Sequence, residues 1–198
     1  MKKVLILAVV MFIAALPLIA QNDGVQHTYL ADYFSNNPGP GGAADQQVRL
    51  VNFGAYGTPL TSPIGDICEN IYVFDANQEM VACCSCRVTP NGLLTLSVAN
   101  GLTNNPVTSV VPVNGDIKIV PTNTATKCDP TGWNGGLSDS TVGFGTHLQT
   151  SGGTASGTFL TETQIPVVAL SGQEQQFLPQ ACTFARYLGS NKGVCACK

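Results

Sequence analysis

Sulfur is the element in this chain best placed to do chemistry. Of the eight cysteines, three fall in Cys83-Cys84-Ser85-Cys86 and two in Cys195-Ala196-Cys197 at the end. Cys-Ser-Cys and Cys-Ala-Cys each put two sulfurs on one side of an extended strand, and soft thiolates in that arrangement suit Cu(I) or Zn. A redox enzyme is a weaker match, because no Cys-x-x-Cys stands in a βαβ setting. The third use of paired cysteines is cross-linking, and the choice depends on compartment.

The first twenty residues decide it. Met1-Lys2-Lys3, an apolar run from Val4 to Ile19 and then Ala20-Gln21-Asn22 have the order of a secretory signal peptide, residues 1–20, with cleavage expected after Ala20. The apolar run is short for a membrane span and carries Pro17 near its end. All eight cysteines follow it. An even number of cysteines in an exported chain predicts disulfides at Cys68, Cys83, Cys84, Cys86, Cys128, Cys182, Cys195 and Cys197, and no metal or other cofactor. The expected location is extracellular or at the cell surface, with no membrane span once the signal is removed.

Strand parity narrows the pairing. Neighbouring residues of a strand point to opposite faces, so Cys83 faces away from Cys84 and Cys86. With a two- or four-residue hairpin loop, Cys68 shares the Cys83 face; a three- or five-residue loop puts it with Cys84 and Cys86. The expectation is Cys68–Cys83, leaving Cys84 and Cys86 for Cys128, Cys182, Cys195 and Cys197.

Other reactive groups are sparse. The two histidines are His27 and His147, neither beside a nucleophile motif, and no Gly-x-Ser-x-Gly occurs. Asp66, Glu69, Asp75, Glu79, Asp116 and Glu162 could supply a carboxylate pair for glycoside hydrolysis, but nothing in their spacing pairs them. Asp66 and Glu69 match no calcium-loop spacing. No catalytic residue is expected, and the chain reads as a non-enzyme. Charged residues make up 11% of it. Removing residues 1–20 takes Lys2 and Lys3 away, leaving seven basic against twelve acidic side chains. Without a Lys/Arg cluster, nucleic acid is not a partner. No Asn-x-Ser/Thr sequon is present, while abundant Ser and Thr leave O-linked glycans open.

The elements that must position the cysteines are strands. Val25 to Phe34 alternates loosely, with Val25, His27, Tyr29, Ala31 and Tyr33 sharing one face. A Pro/Gly linker follows, so residues 21–45 read as an N-terminal strand and linker, and residues 46–198 as a disulfide-rich β domain. The strand is either the first of that domain, crossing over by a long loop, or one that leaves to complete the sheet of a neighbouring copy. Residues 47–53, 67–75, 78–88, 93–98, 106–113, 116–120, 141–150 and 155–170 are β-rich. Four Asn-Gly pairs, at Asn91, Asn100, Asn114 and Asn134, are expected to turn the chain between them. Ser171-Gly172-Gln173-Glu174 fits a capping box for one helix, about 172–188, that Pro179 should kink or split. Phe177, Leu178, Ala181, Cys182, Ala185 and Leu188 share its apolar face. The fold class is mainly β: an antiparallel sandwich or barrel-like domain with one C-terminal helix, disulfide-stapled.

Around Asp66-Ile67-Cys68, Ile71-Tyr72-Val73-Phe74-Asp75, Gln78-Glu79-Met80, Cys83-Cys84-Ser85-Cys86 and Thr95-Leu96-Ser97-Val98, the chain resembles uncharacterised secreted, cysteine-rich proteins of acidobacterial type. Leu188-Gly189-Ser190 and Cys195-Ala196-Cys197 extend the similarity. The resemblance implies export and carries no established activity, so no functional residue transfers from it.

Three roles remain. The first is a structural subunit of an extracellular fibre or cell-surface assembly, polymerising with copies of itself by donating the strand at residues 25–34 to a neighbour. The second is a binding module for extracellular glycans through Trp133, Tyr56 or His147. The third is a hydrolase with a site that the sequence does not declare.

Overall fold

A computed structural model describes residues 28–36, 45–54, 65–103, 111–124, 127–133, 135–150, 157–189, 194–195 and 197. The expected signal peptide, Val25, His27, Tyr56 and residues 106–110 of the strand expected over 106–113 lie outside them, and residues 111–113 are not strand. The described residues form nine strands and one α-helix. The strands are β1 Thr28–Ser35, β2 Gln47–Asn52, β3 Ile67–Asp75, β4 Met80–Val88, β5 Leu93–Ser97, β6 Asn114–Asn123, β7 Thr141–Thr150, β8 Thr158–Gln164 and β9 Val167–Ala169. The helix, α1, is Gly172–Leu188.

Two antiparallel sheets face each other, so the fold is a sandwich and not a closed barrel. One has the order β4-β3-β6-β1-β9 and the other β5-β2-β7-β8. Between them lies the larger core, where Leu30, Ile71, Ile117 and Ile119 of the first sheet meet Val48, Leu50 and Leu96 of the second. The chain changes sheets at Ile165-Pro166, between β8 and β9. Ile165 is buried there, and the Pro166 carbonyl accepts from Ala31 N.

The first sheet is covered on its other face as well. Tyr72, Phe74, Cys83 and Val120 pack under Leu178 and Cys182 of α1. This explains why β3 does not alternate between buried and exposed residues: both of its faces are inside. The helix begins as the capping box requires, with Ser171 Oγ accepting from Glu174 N at 3.1 Å. Its apolar face is narrower than expected. Leu178 and Cys182 are buried, whereas Phe177, Phe184, Tyr187 and Leu188 are exposed. Pro179 does not divide it. The proline lacks the amide that would bond the Gln175 carbonyl, yet helical geometry continues to Leu188.

Two Asn-Gly pairs do not form the expected turns. Asn100-Gly101 sits in a single π-helical turn, Val98–Leu102, started by Ser97 Oγ accepting from Asn100 N and closed by Thr103 N donating to the Val98 carbonyl. Val98 and Leu102 are both buried, so the wider turn places two apolar side chains in the core. Asn114-Gly115 opens β6 instead of turning. A Cβ on Gly115 would lie 1.9 Å from the Phe74 carbonyl oxygen and 2.8 Å from the Phe34 ring. Glycine is there for space.

Candidate functional site

Two places bring together the residues that the sequence singles out: the cysteine strand β4 and the slot that holds β1. In the first, all eight cysteines are paired, as Cys68–Cys128, Cys83–Cys182, Cys84–Cys195 and Cys86–Cys197. The expected Cys68–Cys83 bridge does not form. The hairpin loop has four residues, 76–79, and Cys68 does share the Cys83 face. Tyr72, however, is the residue opposite Cys83, while Cys68 lies opposite Arg87. Four strand residues are about 13 Å, far beyond disulfide reach. The parity condition is met; the distance along the strand is too great.

Only the Cys83 face leads to a partner other than the one expected, because Cys84 and Cys86 bond two of the four cysteines left for them. Cys83 staples α1 to the outside of the first sheet, while Cys84 and Cys86 hold the C-terminal tail. Cys68 instead ties the loop before Trp133. That loop is anchored again by Trp133 Nε1 donating to Tyr72 Oη at 2.7 Å, with Tyr72 Oη donating to the Pro130 carbonyl at 2.8 Å. Burial raises the Tyr72 hydroxyl well above its ordinary range. Trp133 thus spends its one polar group inside the protein, where it supports packing.

Four of the six carboxylates considered for hydrolysis are engaged separately, each with its own partner. Asp66 pairs with Arg87, whose Nε lies 2.6 Å from it, and Glu162 pairs with Arg49 at 2.6 Å. Asp75 caps its own hairpin, accepting from Asn77 N and Glu79 N at 2.9 Å each. Glu69 is enclosed between the sheets, accepting from Thr141 Oγ1 at 2.6 Å.

The second place is the β1 slot. β1 runs antiparallel between β6, paired from Leu30↔Ile119 to Ser35↔Asn114, and β9, paired from Thr28↔Ala169 to Leu30↔Val167. Past Leu30 its second edge has no ladder partner among the described residues. The strand thus lies in this sheet as the first strand of its own domain, one of the two readings that its sequence leaves open. Its inward side chains are Leu30, Asp32 and Phe34, not the aromatic set that the alternation favours. Tyr29 packs toward the helix side, Ala31 is partly buried, and Tyr33 is exposed.

Sheet two is shaped to receive that inward face. On β7, a Cβ at Gly143 would lie 2.8 Å from Leu30, and one at Gly145 would lie 2.0 Å from Asp32 Oδ2. Beside them His147 points inward, its Nε2 3.3 Å from Asp32 Oδ1. The Tyr33 ring stacks on His147 with centroids 4.5 Å apart. Burial pushes the Asp32 carboxyl up, and the His147 charge draws it back down. His147 is therefore a clasp on β1 and not a residue of a loop surface. Sequence reasoning passes over Asp32, Gly143 and Gly145. The available signal is Gly143-Phe144-Gly145, two glycines on one face of an otherwise regular strand.

Among the described residues no helix is long and apolar enough to cross a membrane. No protein-family model, no curated protein and no solved structure matches the chain.

Proposed function

We propose that this protein is a structural subunit of an extracellular assembly, joined to its copies by exchange of β1. The observation that carries this reading is where the covalent cross-links stop. All four disulfides lie between Cys68 and Cys197, and none reaches β1 or β2. The chain from Cys68 to Cys197 is closed into covalent loops, all rooted on β3 and β4. β1 is held by ladder hydrogen bonds, the burial of Leu30 and Phe34, and the Asp32–His147 contact.

That asymmetry suits strand exchange. A strand leaving the slot exposes the β6 and β9 edges, which the same strand from another copy can fill with the same hydrogen bonds. The swap conserves every contact, so its equilibrium depends mainly on the connection to β2 and on concentration. Residues 36–46 join the two strands, among them Asn37-Pro38-Gly39-Pro40-Gly41-Gly42. Low charge and dense cross-linking suit a building block exposed to the outside. Disulfides are at home in such a compartment.

Light scattering after size exclusion, with electron microscopy of the same fractions, tests the reading. Residues 21–198 should give swapped dimers or longer polymers whose proportion rises with concentration. A strictly monomeric protein at every concentration contradicts it.

A further inference from the structure

The Cys84–Cys195 and Cys86–Cys197 bridges lie side by side. Both span 111 residues of sequence, so the tail runs parallel to β4 and is pinned at alternate positions. The sulfurs of Cys84, Cys86 and Cys197 all lie within 4.8 Å of one another. Access to them is uneven. Cys84, Cys86 and Cys195 are buried, and Cys197 is exposed. A sulfur arriving from solvent meets Cys197 first.

Behind this pair stands Glu69. It is the residue directly opposite Cys86 in the β3–β4 ladder, with its side chain on the same inner face. Directly opposed residues carry their Cβ atoms about 4.5–5.5 Å apart. Glu69 has no solvent exposure; Oε1 accepts from Thr141 Oγ1, and Oε2 has no hydrogen-bond partner. A carboxyl group buried with one oxygen unsatisfied is costly, and an apolar side chain would fill the same place at lower cost. Burial pushes its pKa from 4.5 to about 7, so near neutrality it holds a proton that it can release.

We propose that Cys86–Cys197 is a thiol-exchange site, opened by a small thiol at Cys197, with Glu69 giving a proton to the departing Cys86 sulfur. The thiolate attacks Cys197 Sγ. A new S–S bond forms to the incoming sulfur as the Cys197–Cys86 bond breaks, and the electron pair leaves on Cys86 Sγ. A buried thiolate binds a proton more strongly than a free one, so the Glu69 proton moves to it and leaves the carboxylate. A second thiolate attacks the mixed disulfide, releasing the oxidised small disulfide and the Cys197 thiolate. Two thiols have lost two electrons, and the protein disulfide has gained them. Throughout, Cys84–Cys195 keeps the tail on β4, so Cys86 and Cys197 stay close enough to close again. This chemistry is independent of strand exchange.

The groups facing Glu69 are few. On β4 they are Cys86 and Cys84, on β6 Pro121, and on β7 Thr141; the Asp66–Arg87 pair belongs to the opposite face of the sheet. The pH response of the site should therefore follow Glu69.

The test uses the intact oxidised protein and reduced glutathione, across roughly pH 5 to 9, with alkylation and peptide mapping to follow each bridge separately. Cys86–Cys197 should open about ten-fold faster or more than the other three bridges, because Cys197 is exposed, Cys128 is half-buried and the other six cysteines are buried. Corrected for the glutathione thiolate fraction, its rate should fall as pH rises through about 7, where Glu69 loses its proton. Glu69→Gln should make that corrected rate slow and independent of pH. Thr141→Val, which removes the hydrogen bond that favours the carboxylate, should move the inflection upward. Equal opening of all four bridges overturns the proposal. So does a pH profile that Glu69→Gln leaves unchanged, or an inflection that Thr141→Val does not move.

Discussion

Glu69 is a carboxylic acid with no solvent exposure, held between the two sheets. Its carboxyl pKa is raised from 4.5 to about 7 by burial, offset in part by the hydrogen bond from Thr141. A raised acid pKa favours the folded state while the group is protonated in it. Between about pH 4.5 and 7 the folded chain holds the proton and the unfolded chain does not, so stability falls as pH rises through that window. The size is on the order of 3 kcal/mol. Denaturant unfolding at a series of pH values should show this decline, and Glu69→Gln should flatten it relative to the parent. Subtracting the two curves isolates Glu69 from Asp32 and Asp116, whose burial moves them in the same direction. None of this is legible in the sequence. Glu69 stands between Cys68 and Asn70 like any polar strand residue, and only the covering of both faces of β3 takes it out of water. Cys83, Cys84 and Cys86 are legible as a cross-linked junction because an even cysteine count behind a signal-like start points to disulfides. Their partners are not, because a pairing depends on offset along the strand and on where a distant helix lies.

At the scale of elements, β1 is the part that decides how copies could join. Its existence can be read from the alternation after Val25. Its orientation cannot, because Asp32 stands between Leu30 and Phe34 and makes the true inner face look less apolar than Tyr29, Ala31 and Tyr33. A buried carboxylate at the centre of a strand is explained only by its partner, His147, more than a hundred residues away. The glycines of β7 are the other half of that fit. Gly145→Ala places a methyl group where Asp32 Oδ2 now sits, so Asp32 must leave His147 or β1 must move outward. Overpacking of this kind costs about 1–3 kcal/mol. Hydrogen exchange should then show the amides of residues 30–34 losing protection, with little change in β3 and β4. Uniform loss across both sheets would mean that β1 is not a separable unit. The place and capping of the helix are legible from Ser171 and Glu174. Its breadth of contact is not, because helical periodicity names a face without saying how wide a surface waits beneath it.

Taken whole, the molecule is a sandwich whose chain from Cys68 to Cys197 is closed into covalent loops, while β1 and β2 lie outside those loops and are held by non-covalent contacts. Each disulfide closes a loop of 60 to 111 residues, which in the chain-entropy view restricts the unfolded state by about 4–5 kcal/mol for the first such closure. Later closures contribute less, because they fall within chain already constrained. The sandwich class is legible from short strands, turn residues and cysteines. The strand order is not, because β8 and β9 read as one run until Ile165-Pro166 carries the chain from one sheet to the other. The central claim is that β1 of one copy occupies the slot of another, and crossed single cysteines test it directly. Ser35 and Asn114 are partners at the end of the β1–β6 ladder. One preparation carries Ser35→Cys and a second carries Asn114→Cys, so neither can close this bridge within one chain. After the two are mixed and oxidised, non-reducing electrophoresis with peptide mapping should show a disulfide between the two introduced cysteines, joining one chain to the other. If the double variant forms that bond within one chain while the mixed single variants never form it, β1 stays at home and the account is contradicted.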